Sequence, residues 1–334
     1  MLNGTFGLRS ESILSTMQTL DPIPRGPGKA RKSSSHDVLQ TLKKYKFLYG
    51  MLLIPLIYYL VFCYGPMYGV LIAFEKFSIV KGVWGSKWVG LMYFKQYLTD
   101  PYFWKLVRNT LLLSIYGTLW GFPAPIILAL LINEIRHSWF KRLTQTISYL
   151  PHFISTVVVC GMVIGFLAND GPINNFLSAI GLQRVPFMML PSAFRTVYIT
   201  SGIWQGIGWS SIIYLAAISG VDVQLYEAAI MDGAGRFKQA LYVTLPAIIP
   251  VIVIMFILNI GSLMSVSLEK LLMLYNGSTY EVSDTVATYV YRRGIEGADF
   301  SYSTAVGVFQ SVINMIFLFC ANFISRRVSD NSLW

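Results

Sequence analysis

Six long apolar runs constrain the fold of this chain more than any other feature of its sequence. They cover residues 47–74, 109–132, 145–167, 194–218, 247–268 and 302–324. Each is near the roughly 20 residues that a helix needs to cross the hydrocarbon core of a bilayer. A spanning segment must satisfy its backbone hydrogen bonds internally, so the runs predict helices. We therefore expect an all-α integral membrane protein with six transmembrane helices.

The composition agrees with lipid as the main solvent. The chain is 54% hydrophobic and only 13% charged, whereas soluble domains carry roughly 25% charged residues. The net charge of +10 does not by itself indicate nucleic acid, because inner-membrane proteins collect Lys and Arg in their cytoplasmic loops. We expect membrane lipid, and no nucleic acid, among the partners.

No catalytic or metal-binding pattern is present in the sequence. The three cysteines all lie inside apolar runs, and the three histidines are scattered, so neither a disulfide framework nor a metal site is expected. There is no Gly-x-x-x-x-Gly-Lys phosphate-binding loop, so nucleotide hydrolysis would have to come from a partner. We expect this chain to be neither an enzyme nor the holder of a cofactor.

The polar content suggests three regions. Residues 1–46 are rich in Ser, Gly, Pro, Arg and Lys and are expected to form a largely disordered extension. Its last part, from Leu39 to Lys46, could form a short helix at the lipid headgroups. Residues 47–325 form the predicted six-span domain, and 326–334 a short tail.

A polar island at residues 222–245 separates the fourth and fifth runs. Asp222 is a good helix N-cap, and Gly233 and Gly235 should interrupt the helix that follows. A second helix from Arg236 is expected to stop by Leu245, which precedes a proline. The segment is either an ordinary solvated loop or a compact two-helix projection whose exposed Glu227 could pair with a cation of another protein.

The residues of this island resemble a known motif. Glu227-Ala-Ala-Ile-Met-Asp-Gly-Ala234, then Phe237 and Leu245-Pro246, are similar to the EAA loop of permease subunits in binding-protein-dependent ABC importers. In that family the loop is the coupling helix that docks into the cytoplasmic ATPase. The resemblance implies this role for Glu227, Ala228, Ala229, Asp232, Gly233, Ala234, Phe237, Leu245 and Pro246.

The resemblance also implies an orientation and an assembly. Positive charge divides too evenly between the two sides to orient the chain, but the EAA-like loop would place both termini in the cytoplasm of a bacterium, in a multi-pass inner-membrane permease of the type I importer class. The expected partners are a second, similar permease, two ATPase subunits that hold ATP and Mg²⁺, and an extracytoplasmic solute-binding protein.

Further phrases resemble the permeases of the LplB and YteP type, which act on complex polysaccharide fragments. They include Trp104-x-x-x-Arg-Asn-Thr110, Gly121-Phe-Pro-Ala-Pro125, Tyr149-Leu-Pro-His-Phe153, Tyr280-Glu-Val-Ser-Asp284 and Thr288-Tyr-Val-Tyr-Arg-Arg-Gly294. This subgroup includes a permease subunit of alginate importers. It implies an oligosaccharide substrate, most plausibly acidic, with oligo-alginate the first choice.

Polar and aromatic residues inside the last three runs are candidates for a sugar path. Flat rings can pack against sugar C–H faces, but uncharged polar residues in spans often only bridge helices. Asn259, Ser262 and Ser265 are spaced to lie along one side of a helix. The full candidate set is Trp204, Gln205, Trp209, Asn259, Ser262, Ser265, Glu269, Gln310 and Asn314.

Two segments outside the runs carry unusual charge. Residues 75–108 are basic and aromatic, which fits either an interfacial segment touching lipid phosphates or a vestibule that favours anionic solutes. Residues 269–301 carry mixed charge, either as a solvated loop or as the docking surface for the solute-binding protein.

Two other functional classes stay open. The chain could be a membrane-embedded sensor or scaffold that holds a soluble partner without transport. A membrane enzyme acting on lipid-linked sugar is disfavoured, because no pair of carboxylates lies within the spans.

Overall fold

The computed structural model describes residues 44–328, so residues 1–43 of the predicted extension, most of its interfacial helix and residues 329–334 of the tail lie outside the described part. The chain divides into two compact units, residues 1–67 and residues 68–334. In the first unit, α1 (Lys46–Tyr58) continues through a π-helical turn (Tyr59–Tyr64) into the short α2 (Gly65–Met67).

The second unit begins with a region of short elements. A 3₁₀ segment (Tyr68–Phe74) leads into two short antiparallel strands, β1 (Glu75–Lys76) and β2 (Lys87–Trp88), in which Glu75 pairs with Trp88. Two helices complete this region, α3 (Gly82–Gly85) and α4 (Met92–Leu98).

The following part of the chain contains six helices. They are α5 (Phe103–Gly121), α6 (Pro123–Asn133), α7 (Ser138–Tyr149), α8 (Thr156–Leu167), α9 (Pro172–Ala179) and α10 (Pro191–Ser219). Short 3₁₀ segments precede α8 and α10, at Leu150–Phe153 and Phe187–Met189. The third span starts later than predicted, because the helix breaks around Pro151 and begins again only where the Ser155 side chain caps α8.

The rest of the chain contains the EAA-like segment and the last spans. Its helices are α11 (Val223–Met231), α12 (Arg236–Gln239), α13 (Leu245–Gly261), α14 (Leu268–Leu274), α15 (Tyr280–Ser283), α16 (Val286–Tyr291) and α17 (Phe300–Val328). Two π-helical turns occur here, Ala240–Thr244 before α13 and Arg292–Glu296 after α16.

Within the described residues, five helical segments are long and apolar enough to cross a membrane, and a sixth if one bent pair is counted. The five are Lys46–Phe74, Phe103–Asn133, Thr156–Ala179, Arg236–Gly261 and Phe300–Arg327. The bent pair is α10 with α11, whose axes differ by 74°. The fold class predicted from the apolar runs is confirmed.

The predicted stop at Leu245 is wrong. Residues Arg236–Gly261 form one span, in which α12 passes through the π turn into α13. Pro246 lies in the first turn of α13, directly after the π turn, and proline and a π turn are both common sites of helix bending.

Three apolar clusters hold the second unit together. One packs α4 and α5 against α16 and α17, with Tyr97, Leu106 and Tyr302 almost fully buried. A second joins α5, α8, α10 and α14 around Leu271, and the third joins α6, α10 and α13 around Ile248. The residues 75–102 and 268–301 meet in the first cluster, and we call them together the loop-rich end. The 222–245 segment follows the far end of the 29-residue α10.

Candidate functional site

The 222–245 segment is formed by two short helices and a π turn and not by an irregular loop. The Asp222 carboxylate accepts the Gln224 N–H at 2.9 Å and caps α11. Gly233, at φ +76°, ends that helix in the left-handed region that favours glycine. The Tyr226 hydroxyl lies 2.9 Å from the hydroxyl of buried Thr244, which ties α11 to the start of the next span.

Several apolar side chains of this projection are exposed. No residue of α11 or α12 is buried. Met231 is 87% exposed, Phe237 81% and Tyr242 73%, and Glu227 is exposed on the same helix as Met231. Exposed apolar side chains around a charged group are typical of a protein–protein contact.

The projection also contacts the end of the second span. The Arg236 guanidinium donates to the Glu134 carbonyl oxygen at 3.3 Å, and the same nitrogen lies 3.8 Å from the Glu134 carboxylate. Glu134 is the residue that follows α6. The segment is thus joined to two spans, through the π turn to α13 and through Arg236 to α6.

The other EAA-like positions surround this framework. Ala228 and Asp232 are exposed, Ala229 and Ala234 are half-buried, and Pro246 is exposed at the start of α13. Leu245 packs into the third apolar cluster, so it connects the segment to the spans.

A cavity of about 640 Å³ lies between α5, α6, α10 and α13. Three residues of the predicted sugar path line it: Gln205, Trp209 and Asn259. The Thr118 hydroxyl donates to the Asn259 side-chain oxygen at 2.8 Å, and the Gln205 amide donates to the Ile154 carbonyl at 3.2 Å. Both amides keep further hydrogen-bonding groups for a ligand.

The remaining predicted path residues lie elsewhere. Trp204 lines a second, mostly apolar groove formed with α8, and Glu269 is exposed at the start of α14. The prediction that Asn259, Ser262 and Ser265 share one helix is wrong, because α13 ends at Gly261.

Gln310 and Asn314 hold the connection between α13 and α14. The Asn314 side chain accepts the Met264 N–H at 2.8 Å and donates to the Ser265 hydroxyl at 2.9 Å. The Gln310 amide donates to the Met264 carbonyl at 2.6 Å. These amides satisfy a backbone that has left the helix, and neither residue lines the large cavity.

Lys270 is a cavity residue that the sequence reasoning did not select. It is 5% exposed, and it lines the cavity together with Ser267 and Tyr198. Burial lowers the pKa of Lys270 to about 8. A single lysine beyond an apolar run gives no sequence signal of this position, which depends on the turn between α13 and α14.

The chain's similarity to known proteins is extensive. Residues 121–330 match the family described as the binding-protein-dependent transport system inner membrane component. The chain belongs to this family. It is a multi-pass membrane permease of an ABC importer, as the EAA-like motif implied.

Two relatives from Bacillus subtilis (strain 168) are each 43% identical to this permease. Protein LplB matches over 89% of the chain and 93% of its own length. The polygalacturonan/rhamnogalacturonan transport system permease protein YteP matches over 91% of the chain and 95% of its own length. The similarity to permeases of polysaccharide fragments is confirmed.

Two solved structures share the permease fold. A chain of a bacterial alginate ABC transporter, crystallised in complex with an alginate pentasaccharide-bound periplasmic protein, is 40% identical with a TM-score of 0.80, covering 88% of this chain and 99% of that one. A chain of a bacterial ABC transporter for import of the acidic polysaccharide alginate is 41% identical with the same TM-score, covering 87% and 99%.

The loop-rich end of the permease contains two polar networks, of which only the first lies largely within the family phrases of the sequence. Arg292 donates to both Asp284 oxygens, at 2.9 and 2.8 Å, and the Thr288 hydroxyl donates to the same carboxylate at 2.7 Å. This pairing raises the pKa of Arg292. The Asn109 amide donates to the Asp284 and Glu281 carbonyls at 2.9 Å and so fastens α5 to this region.

The second network is centred on Asp100. The hydroxyls of Tyr289 and Tyr302 donate to one carboxylate oxygen, at 2.7 and 3.0 Å, and the Tyr102 N–H donates to the other at 2.8 Å. Burial acts to raise the pKa of Asp100, but these hydrogen bonds outweigh it and lower the pKa below its usual value. The two networks make the loop-rich end a fixed surface.

Proposed function

We propose that this permease moves acidic oligosaccharides across the bacterial inner membrane and that residues 222–245 dock into a cytoplasmic ATPase. The observation that carries the coupling role is the exposed face of the 222–245 segment. Glu227 offers a carboxylate for a charge-assisted hydrogen bond. The neighbouring Ala228 permits close approach, and the exposed side chains of Met231 and Phe237 offer apolar area to bury.

The substrate class is supported by the relatives. One is described as a permease for polygalacturonan and rhamnogalacturonan, and the two solved importers carry alginate, an acidic polysaccharide. The loop-rich end adds exposed lysines at positions 76, 81, 87 and 95. A surface with this excess of positive charge attracts anionic solutes. Oligo-alginate is our first choice of substrate.

The proposed assembly contains a second permease, two ATPase subunits that hold ATP and Mg²⁺, and a solute-binding protein. With the 222–245 segment in the cytoplasm, the loop-rich end faces outward and receives the binding protein. One solved relative is in complex with such a periplasmic protein. The second permease would complete the wall of the cavity.

Transport then requires that ATP favour one state of the permease. ATP must bind the outward-facing assembly more tightly than the inward-facing one, since a ligand with equal affinity shifts no population. Closure of the ATPase pair would displace α11 and α12, and the continuous span Arg236–Gly261 would carry that displacement to the cavity.

The coupling role is tested by Glu227→Lys in the reconstituted importer. We expect the complex to assemble but to lose solute-stimulated ATP hydrolysis, because the new ammonium faces the cation of the partner. Gln224→Lys is the matched control, since Gln224 is an exposed residue of the same helix. Normal stimulation in Glu227→Lys would contradict the coupling role.

Transport itself is tested with vesicles that contain the assembled importer and labelled oligo-alginate outside. ATP-dependent accumulation inside the vesicles is the expected result. Binding of the ATPase without accumulation of any saccharide would instead favour the scaffold hypothesis.

A further inference from the structure

The side chain of Lys270 is held at the wall of the cavity by Tyr198. Its Nζ donates to the Tyr198 carbonyl oxygen at 2.7 Å and lies 4.8 Å from the centre of the Tyr198 ring. The ring is itself fixed, because its hydroxyl accepts the Ser267 N–H at 3.2 Å. The ammonium therefore has a defined position between α10 and α14.

Gly202 provides the space for this ammonium. A Cβ atom at Gly202 would lie 2.9 Å from Lys270 Nζ, which is closer than a methyl group and an ammonium can approach. Gly206, one turn further along α10, has open space at the same point and also lines the cavity. The contact is thus specific to Gly202.

Lys270 lacks an anionic partner within the described part of the chain. The ion pairs there are Arg236 with Glu134 and Arg292 with Asp284. An ammonium has three hydrogen-bond donors, and a protein acceptor takes one of those of Lys270. Its neighbour Glu269 is exposed. A buried charge is costly unless it is paired.

The other residues that line the cavity suit a sugar but supply no second charge. Lys270 is the one Asp, Glu, Lys or Arg among the lining residues that the structure describes. Gln205 and Asn259 offer amides, and Trp209 offers a flat ring. An anionic saccharide in this cavity would find one fixed cation and several neutral groups.

We propose that Lys270 binds a carboxylate of the transported saccharide and thereby selects uronate-containing oligomers over neutral ones inside the permease. This inference rests on the proposed transport function. It assigns to the permease a residue that discriminates between acidic and neutral saccharides, in addition to any discrimination by the solute-binding protein.

The test compares free-acid oligo-alginate with its methyl ester, which has the same sugar backbone without the charge. Uptake of both is measured in vesicles containing the complete importer. We expect the wild type to favour the free acid and Lys270→Gln to lower this preference about ten- to hundredfold, the usual range for loss of a charged hydrogen bond. Uptake of the ester should change little.

Further variants distinguish a role of the Lys270 ammonium in substrate selection from effects on folding and from loss of positive charge elsewhere. Gly202→Ala keeps the lysine but displaces its ammonium, and it should lower the preference in the same direction, while Gly206→Ala should not. Arg142→Gln removes an exposed basic residue of α7 that does not line the cavity and should leave the preference unchanged.

The outcomes distinguish this inference from the proposed function. An unchanged preference in Lys270→Gln, with import retained, would overturn the role of Lys270 alone. Equal loss of uptake for acid and ester would assign Lys270 a structural role and also overturn the inference. Absence of import by the wild type for either compound would overturn the transport function and the inference together.

Discussion

The imidazole of His152 lies flat on the indole of Trp209. Their ring centroids are 4.6 Å apart and the two planes are within 2° of parallel. Phe153 meets the same indole edge-on, with centroids 5.6 Å apart. His152 and Phe153, which lie in the 3₁₀ segment before α8, thus hold one face of the Trp209 indole. Trp209 also lines the cavity between α5, α6, α10 and α13.

Replacing this fixed indole should weaken saccharide recognition. We expect Trp209→Ala to raise the half-saturating saccharide concentration about three- to tenfold, since an aromatic contact contributes ~0.5–1.5 kcal/mol beyond its buried area. Uptake into vesicles provides the measurement. Trp204→Ala is the control, because Trp204 is as exposed as Trp209 but lines the other groove. Equal effects of the two changes would contradict a specific contact with Trp209.

The hydrogen bond between Tyr226 and Thr244 should affect coupling more than assembly. Tyr226→Phe removes a bond that contributes about 1 kcal/mol and loosens α11 relative to the span that follows. We expect a lower ratio of stimulated to basal ATP hydrolysis at unchanged ATPase content. Tyr242→Phe removes a hydroxyl from an exposed neighbour and should leave the ratio unaltered. An equal decrease of this ratio in both variants would contradict a specific role of the hydrogen bond between Tyr226 and Thr244.

Gly208 should tolerate no side chain. A Cβ there would overlap the backbone carbonyl of Ser148, so α10 and α7 can cross closely only at a glycine. We expect Gly208→Ala to cost at least about 1–3 kcal/mol, the usual range for overpacking, and to lower the thermal midpoint of the purified protein. Gly161 has open space at its Cβ position, so Gly161→Ala should leave the midpoint near that of the wild type. If Gly208→Ala had the same thermal midpoint as the wild type, the close packing of α10 against α7 at Gly208 would be contradicted.

Asp100 should make the loop-rich end sensitive to acid. Its pKa is lowered in the folded state, so its contribution is complete above its ordinary value of 3.8 and is lost as the pH falls through the lower, folded value. We expect Asp100→Asn to lower the thermal midpoint near pH 6 and to reduce its further fall on acidification. Asp170→Asn, at an exposed aspartate, should follow the wild type. Parallel acid profiles for wild type and Asp100→Asn would contradict the assignment.

The sequence predicted those helices and helix ends that depend on residues close to one another in the chain. Apolar length was enough for the spans, and Asp222 and Gly233 were enough for the ends of α11, because capping and left-handed glycine act within a few residues. The end of α13 at Gly261 depends instead on contacts with residues far away in the sequence. A Cβ at Gly261 would lie 2.7 Å from a Leu318 side-chain atom, and Asn314 captures the Met264 N–H from 50 positions away.

The lining of the cavity could likewise be predicted only in part from the sequence. Gln205, Trp209 and Asn259 were predicted as path residues and do line it, whereas Lys270 was missed. The acceptor that positions Lys270 is the carbonyl of Tyr198, 72 residues earlier. No periodicity within either helix records that contact, so only the tertiary structure could reveal it.

The unbroken path from Arg236 to Gly261 has a mechanical consequence. A helix of 26 residues is about 39 Å long, and its hydrogen-bonded backbone resists compression along its axis. Phe237 lies near one end of this helix with its side chain exposed, and Asn259 lies near the other end, in the cavity wall. If this segment docks into an ATPase as proposed, an axial displacement at Phe237 would reach Asn259 through the helix backbone itself, without intermediate side-chain contacts.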